Sequence, residues 1–213
     1  MNHKRVIITA ICIFLTVTML VLSCGNSEDE DILEGDFELT MLQIYRAIAE
    51  RTKVLDLPPS IYASSYFARG LEYEDIDEYD KAIACYTKAI ELDPEDALYY
   101  RFRGHAYEDR GEYDEAIADY TRAIELDPES WSAYQARGNT YDSKGEYDKA
   151  IADYTKLIEL EPDFARAYYY RGLAYKSKGE YEKAASDFET VIQTSISAGL
   201  VLDAREALKS IGK

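Results

Sequence analysis

One motif recurs at a fixed spacing of 34 residues. "DEYDKAIACYTKAIELDP" at Asp77–Pro94 returns as "GEYDEAIADYTRAIELDP" at Gly111–Pro128 and as "GEYDKAIADYTKLIELEP" at Gly145–Pro162. A more divergent copy, "GEYEKAASDFETVIQTSI", occupies Gly179–Ile196. Self-similarity at this period marks stacked supersecondary units, none of which can bury its apolar face alone. Neighbours must stack into one continuous core. Such a chain offers extended surface in place of an enclosed cavity, which favours binding over catalysis.

The register divides the body into units 63–96, 97–130, 131–164 and 165–198. Counting each unit from 1 to 34, the pattern predicts helix A over about positions 1–14 and helix B over about 17–30, an all-α solenoid. Gly70, Gly104, Gly138 and Gly172 fall at position 8, inside helix A. A mid-helix glycine costs about 1 kcal/mol relative to alanine. Its recurrence implies close approach of helix B, with Ala82, Ala116, Ala150 and Ala184 as the facing small surface. Gly111, Gly145 and Gly179 end helix A, with Asp77 in that slot in the first unit. Pro94, Pro128 and Pro162 stop helix B.

The 20 tyrosines follow the same register. Fifteen stand at positions 4, 11, 17 and 24, and Phe188 fills the sixteenth slot. Regularity of this kind predicts packing in the core rather than an aromatic ligand cage.

Flanking segments complete the plan. Phe37, Met41, Ile44, Ile48, Thr52 and Leu55 form a helical stripe, so Asp36–Leu55 is expected to be an N-terminal capping helix in a segment 36–62. A degenerate half-repeat is the alternative. Leu57-Pro58-Pro59-Ser60 breaks that stripe, and Ser60 is placed to cap the next helix. Beyond the fourth unit, Leu200, Ala204, Ala207, Leu208 and Ile211 predict a C-terminal capping helix within 199–213.

The extreme N-terminus has a different character. Lys4 and Arg5 precede an apolar run, Val6–Leu22, that ends in "VLSC". These are the parts of a secretory signal peptide. "VLSC" at Val21–Cys24 resembles a bacterial lipobox, which implies cleavage after Ser23 and lipidation of Cys24. An uncleaved anchor is the alternative, since seventeen apolar residues sit at the short limit for a membrane span. Either reading keeps the basic end cytoplasmic and the body outside, in a cell envelope. The segment 24–35 opens a run with seven acids between Glu28 and Glu38, and is expected to be a solvated tether. With Cys12 removed and Cys24 lipidated, Cys85 would stand alone without an intrachain disulfide.

The formal charge of −17 disfavours a polyanionic partner such as nucleic acid. Catalytic signals are equally sparse. Besides His3 in the leader, the chain has one histidine, His105, so no two-histidine metal site can form in the processed chain. Asp75-x-Asp77 begins like a calcium loop but fails, with Asp80 in the glycine slot and Tyr86 in the bidentate glutamate slot. No catalytic residue, metal, cofactor or small-molecule substrate is expected.

The pattern of small and large residues, quoted as "YRFRGHAY…A…Y…A…P" from Tyr100 to Pro128, resembles the tetratricopeptide repeat family. The resemblance covers all four units, although Val191 and Ile196 depart from it in the fourth. It implies that positions 2, 5, 9, 12 and 13 of helix A line a concave groove for a protein or peptide partner. Here those positions include Phe67, Leu71, Glu74 and Asp75 in the first unit, and Leu98, Arg101, His105, Glu108 and Asp109 in the second. Gln135, Asn139 and Asp142 follow in the third, with Arg166, Tyr169, Leu173 and Lys176 in the fourth. Helix periodicity puts positions 4, 7, 8 and 11 on the inward side. The family's basic clamp for a C-terminal carboxylate is not reproduced, because Phe67 and Leu71 occupy its first slots and Ala136 and Tyr170 do not complete it one unit later.

One departure is systematic. Position 7, commonly leucine in this family, is Arg69, Arg103, Arg137 and Arg171. Position 23 is Asp119, Asp153 and Asp187 in the last three units. Arg103–Asp119, Arg137–Asp153 and Arg171–Asp187 are therefore expected to be bidentate structural ion pairs between helices A and B.

The resulting expectation is a membrane-anchored, extracytoplasmic scaffold for protein–protein contacts, with envelope, pilus or secretion-complex assembly as a specialisation. Two alternatives stand beside it. One is an enzyme or enzyme subunit with a site near His105, and the other is a self-associating structural protein.

Overall fold

The computed structural model describes residues 59–212. Among them the chain is entirely helical: α1 (Pro59–Glu74), α2 (Tyr79–Leu92), α3 (Ala97–Asp109), α4 (Tyr113–Leu126), α5 (Trp131–Ser143), α6 (Tyr147–Leu160), α7 (Ala165–Ser177), α8 (Tyr181–Thr194) and α9 (Ala198–Ser210). Each odd helix from α1 to α7 is an A helix that pairs with the B helix after it, and each B helix packs on the next A helix, ending with α8 on α9. From α3 onward successive A helices also touch one another, whereas no two B helices meet to the same extent. The stack is therefore tighter along the A helices and curves toward them. The expected signal segment, Cys24, the tether and the helix at Asp36–Leu55 lie outside the described residues.

The turn between A and B repeats in detail. Gly111, Gly145 and Gly179 have φ of 78°, 75° and 79°, and Asp77 takes the same left-handed conformation at 61°. The amide three residues past each helix end donates back across the turn, Glu112 to Tyr107 O and Glu146 to Tyr141 O, both at 2.9 Å. This closes the helix with a Schellman-type bond. Only glycine adopts such a φ without cost, and aspartate is among the few residues that tolerate it. Ser60 does not cap α1. The helix begins one residue earlier at Pro59, where a missing N–H costs nothing, and the Ser60 carbonyl accepts from Ser64 Oγ at 2.8 Å.

The core runs along the A–B seam. Tyr86, Tyr120, Tyr154 and Phe188, at position 24, are fully buried, as are Ala82, Ala116, Ala150 and Ala184. The position-8 glycines lie against those rings rather than against the alanines. A Cβ on Gly104 would stand 2.8 Å from Tyr120 Cε1, and one on Gly172 would stand 2.7 Å from Phe188 Cε1. The glycine thus makes room for an aromatic ring, which is a larger requirement than a close helix crossing.

Two packing expectations need correction. The fully buried positions of helix A include 3 and 10 (Tyr99, Ala133 and Ala167; Ala106, Thr140 and Ala174), because each internal A helix packs against two B helices at once. Positions 4, 7 and 11 are largely but not fully buried. Among the tyrosines, those at position 24 alone are core residues throughout. Tyr113 and Tyr181, at the edge of the stack where helix B begins, are 37% and 51% exposed.

The half-buried tyrosines at positions 4 and 11 flank the arginine between them. The Arg103 guanidinium lies 5.8 Å from the Tyr100 ring centroid and 6.0 Å from that of Tyr107, and Arg137 sits the same way between Tyr134 and Tyr141. Arg103 donates to Asp119 through Nε at 2.7 Å and Nη2 at 2.8 Å. Arg171 does the same to Asp187 at 2.9 and 2.8 Å. The remaining nitrogen reaches back to the preceding repeat: Arg103 Nη1 donates to Thr87, Arg137 Nη1 to Thr121 and Arg171 Nη1 to Thr155, at 3.0, 2.9 and 3.2 Å. Each arginine therefore joins three helices. In the first unit, where Cys85 replaces the aspartate, Arg69 Nη2 donates to Tyr73 Oη at 2.9 Å.

A second ladder runs along the turns. Arg110 and Lys178, at position 14, pair with Asp80 and Asp148 of the preceding unit at 2.6 and 2.5 Å, and Lys144 pairs with Asp114. These exposed pairs add little individually. Their repetition fixes the register of one unit on the next.

Candidate functional site

The side of the A helices turned away from the B helices forms an open face along four units. Its first two units hold the acids expected there, of which Glu74 and Glu108 are joined by hydrogen bonds to the core. Tyr86 Oη donates to Glu74 Oε2 at 2.6 Å, and Tyr120 Oη donates to Glu108 Oε2 at 2.8 Å. The buried phenols thus reach the groove with their hydroxyls. Burial and the adjacent carboxylate push both well above the ordinary tyrosine pKa, so they remain donors.

Glu74 and His105 meet across the first two units, with Oε1 and Nδ1 2.5 Å apart, and Asp109 Oδ2 lies 3.5 Å from the same nitrogen. The hydrogen bond to Glu74 raises the His105 pKa against the opposing effect of burial. Burial pushes Glu74 upward, but hydrogen bonds from His105 and Tyr86 more than offset it and hold the carboxyl below its usual range. The imidazole is thereby biased toward its charged form. Among the described residues, no serine, threonine or cysteine side chain bonds it. Glu74, His105 and Asp109 do bring three potential ligand atoms within 4.8 Å of one another. That set stops short of the four ligands of a structural zinc site, and the ion pair already satisfies its closest contact.

The other expected groove residues separate into two groups. Phe67 is half-buried in an aromatic cluster, 5.7 Å from Tyr86, 5.3 Å from Tyr99 and 5.0 Å from Phe102, and Leu71 packs beside it. Tyr169 and Leu173 likewise pack on the last core segment, with Tyr169 5.9 Å from Phe188. These four are parts of the groove wall more than free contact surface. Leu98, Asp75, Asp109 and Arg166 are exposed. Arg101 lies over the Phe102 ring at 4.4 Å, with burial lowering its pKa. Asn139 accepts from Tyr154 Oη at 2.9 Å, Lys176 donates to Ser210 Oγ at 2.7 Å, and Gln135 is half-buried.

Asp142 differs from all of these. Its Oδ1 is buried and has no hydrogen-bond partner, and burial alone raises its pKa.

Family models agree with the helical register. One described as TPR repeat matches residues 138–179, and three described as tetratricopeptide repeat match 67–130, 119–152 and 165–194. A solved structure, "Crystal structure of MamA", is 35% identical, covers 76% of this chain and 94% of its own, and superposes with a TM-score of 0.61. The chain belongs to the tetratricopeptide repeat family. Two further tetratricopeptide structures match over a shorter span. The second such domain of human RPAP3, solved in complex with the HSP70 peptide SGPTIEEVD, is 32% identical, covering 55% of this chain and 97% of its own with a TM-score of 0.53. The Arabidopsis OM64 domain is 27% identical, covering 55% and 98% with a TM-score of 0.54. No curated protein matches the sequence.

Among the described residues, no helix of this tetratricopeptide stack is long and apolar enough to cross a membrane. The contacts that sequence reasoning missed all carry a repeat signal. Threonine recurs at position 25 (Thr87, Thr121, Thr155) and a base at position 14 (Arg110, Lys144, Lys178). The tyrosine–glutamate bonds pair position 24 with position 12, and where position 12 becomes Lys176, position 24 loses its hydroxyl as Phe188.

Proposed function

We propose that this tetratricopeptide protein is a non-catalytic scaffold, held to a membrane on its extracytoplasmic side through Cys24. Its concave A-helix face binds an extended segment of a protein partner. The observation that carries this reading is the open face itself. Four A helices present polar and charged side chains on a rigid, repeated frame, among them exposed Leu98 and half-buried Arg101. A related domain was solved with a peptide, the human RPAP3 domain at 32% identity. The acidic tail of that peptide is not the expected ligand here, because Phe67 and Leu71 stand where a basic clamp would begin and are committed to the core.

The anchoring part rests on the basic start, the apolar run Val6–Leu22 and the small residues before Cys24. The acids after Cys24 would hold the repeats off an anionic membrane surface. A role in assembling envelope, pilus or secretion complexes suits a tethered scaffold.

Two measurements test the parts separately. Feeding cells a fatty-acid analogue should label the wild-type chain and not Cys24→Ala; an unlabelled wild type removes the lipid anchor. Pull-down of the lipidated protein should recover a partner that is weakened by Arg101→Ala and by Tyr169→Ala, each by more than about 1 kcal/mol in affinity. Retention of full affinity by both variants would move binding away from this face.

A further inference from the structure

Position 12 of helix A carries Glu74, Glu108, Asp142 and Lys176 in successive units. The two glutamates each accept from the position-24 tyrosine of their own unit. In the third unit the side chain is one methylene shorter, and the Tyr154 hydroxyl turns instead to Asn139 Oδ1. Asp142 is left with a buried, unpartnered Oδ1, the only such side-chain atom among the described residues. Among the described residues no cation stands within ion-pair distance, and burial raises its pKa with no opposing charge to lower it. Glutamate at this position already works in the two preceding units, so the fold has a satisfied alternative that this unit does not use. A carboxylate kept half-buried without a donor is destabilising in the free protein.

The surroundings say what would satisfy it. The groove side of α5 is otherwise uncharged, with Ser132, Gln135 and Asn139. The two units before it add Glu74, Asp75, Glu108 and Asp109 against Arg101 and His105. Asp142 is a single carboxylate, which alone does not make a metal site. A donor delivered on a polypeptide lying along the groove can cover it and exclude water at the same time.

We infer that the groove takes an extended basic segment of a partner protein, and that a lysine or arginine of that segment docks on Asp142. This rests on the concave face being the binding face. The segment's charge is set by the acids of the first three units, and Asp142 sets where along the groove one cationic side chain is fixed. Glu74, Glu108 and Asp109 are already bonded within the protein and Asp75 is exposed, so these acids steer the segment more than they anchor it.

The test uses the full chain in detergent micelles and three fluorescent nonapeptides that alternate leucine with lysine, glutamate or serine, followed by anisotropy. The lysine peptide should bind at least about tenfold more tightly than the serine peptide. Asp142→Asn should remove about tenfold of that affinity, while Glu159→Gln, the same loss of one charge on helix α6, should leave it nearly unchanged. Asp142→Asn should also unfold at the same or a higher temperature than wild type at neutral pH, since it removes an unpaired, half-buried charge. Loss of binding with gain of stability separates a docking carboxylate from a structural one. Equal affinity for the lysine and serine peptides, an equal effect of the two variants, or no binding of any probe would overturn the inference. Tight binding of the glutamate or serine peptide that Leu98→Arg abolishes would overturn it while leaving the groove as the binding face.

Discussion

Arg137 grips Asp153 through two parallel hydrogen bonds, Nε to Oδ2 and Nη2 to Oδ1, both at 2.8 Å. The third contact, Nη1 to Thr121 Oγ1 at 2.9 Å, comes from the preceding repeat. Both charged side chains are more than four-fifths buried, so the pair belongs to the core and not to the surface. Removing one member strands the other. Asp153→Ala should therefore destabilise by about 3–5 kcal/mol. Arg137→Met combined with Asp153→Leu should cost far less than the sum of the single changes. Urea unfolding of the four proteins gives the coupling, and additive effects would dissolve the clamp.

The glycines separate a packing role from a helix-propensity role. Gly104→Ala drives a Cβ to 2.8 Å from the Tyr120 ring, and the buried ring cannot retreat. Overpacking of about 1–3 kcal/mol should outweigh the propensity gain of about 1 kcal/mol. Gly199 lies near the start of α9 with nothing within 4 Å of its Cβ position. Gly199→Ala should stabilise by about 0.5–1 kcal/mol. Thermal unfolding of both proteins would show shifts of opposite sign.

The turns give a third comparison. Gly145→Ala places a Cβ at a φ of 75°, and should cost about 1–2 kcal/mol. Asp77→Gly relieves the same conformation at 61° but loses the hydrogen bond that Tyr79 Oη donates to Asp77 at 2.7 Å. Its effect on stability should be the smaller of the two in magnitude, and equal losses at the two turns would show that φ is not what limits them.

How much of this was legible depends on whether a residue's role is set by its own helix or by a neighbour. The four units, both helices of each and the glycine turns follow from the 34-residue period alone. The Arg137–Asp153 pair was also legible, since its members sit on facing helices of one hairpin. The ring over Gly104 was misassigned to Ala116, because spacing reports small residues without saying which large one fills the gap. Thr121 was missed because it reaches Arg137 from another unit. Phe67 and Leu71 were placed on the groove by periodicity. The first A helix has no preceding B helix among the described residues, and its aromatic cluster draws them inward. Asp142's missing partner could not be read at all, since it depends on Tyr154 choosing Asn139.

The Glu74–His105 pair carries a pH signature. His105 is raised above the ordinary 6.5, so its contribution is complete below that value and fades as pH rises through the raised one. Glu74 is lowered beneath 4.5, so its contribution is complete above that value and fades as pH falls through the lowered one. The pair stabilises most between 4.5 and 6.5. The difference in unfolding temperature between wild type and His105→Gln should peak in that window and shrink on both sides. Its size should be small, because His105 is more than half exposed. A difference that grows toward alkaline pH would contradict the pairing.

The central claim is that the concave A-helix face is where a partner segment lies. A photo-cross-linking amino acid placed at Leu98, in the full chain in cells, tests it most directly against the same probe at Glu189 on exposed helix B surface. The account predicts an adduct from Leu98 that mass spectrometry locates in one lysine- or arginine-bearing segment, and none from Glu189. Adducts from Glu189 with none from Leu98 would contradict it and place binding on the B helices.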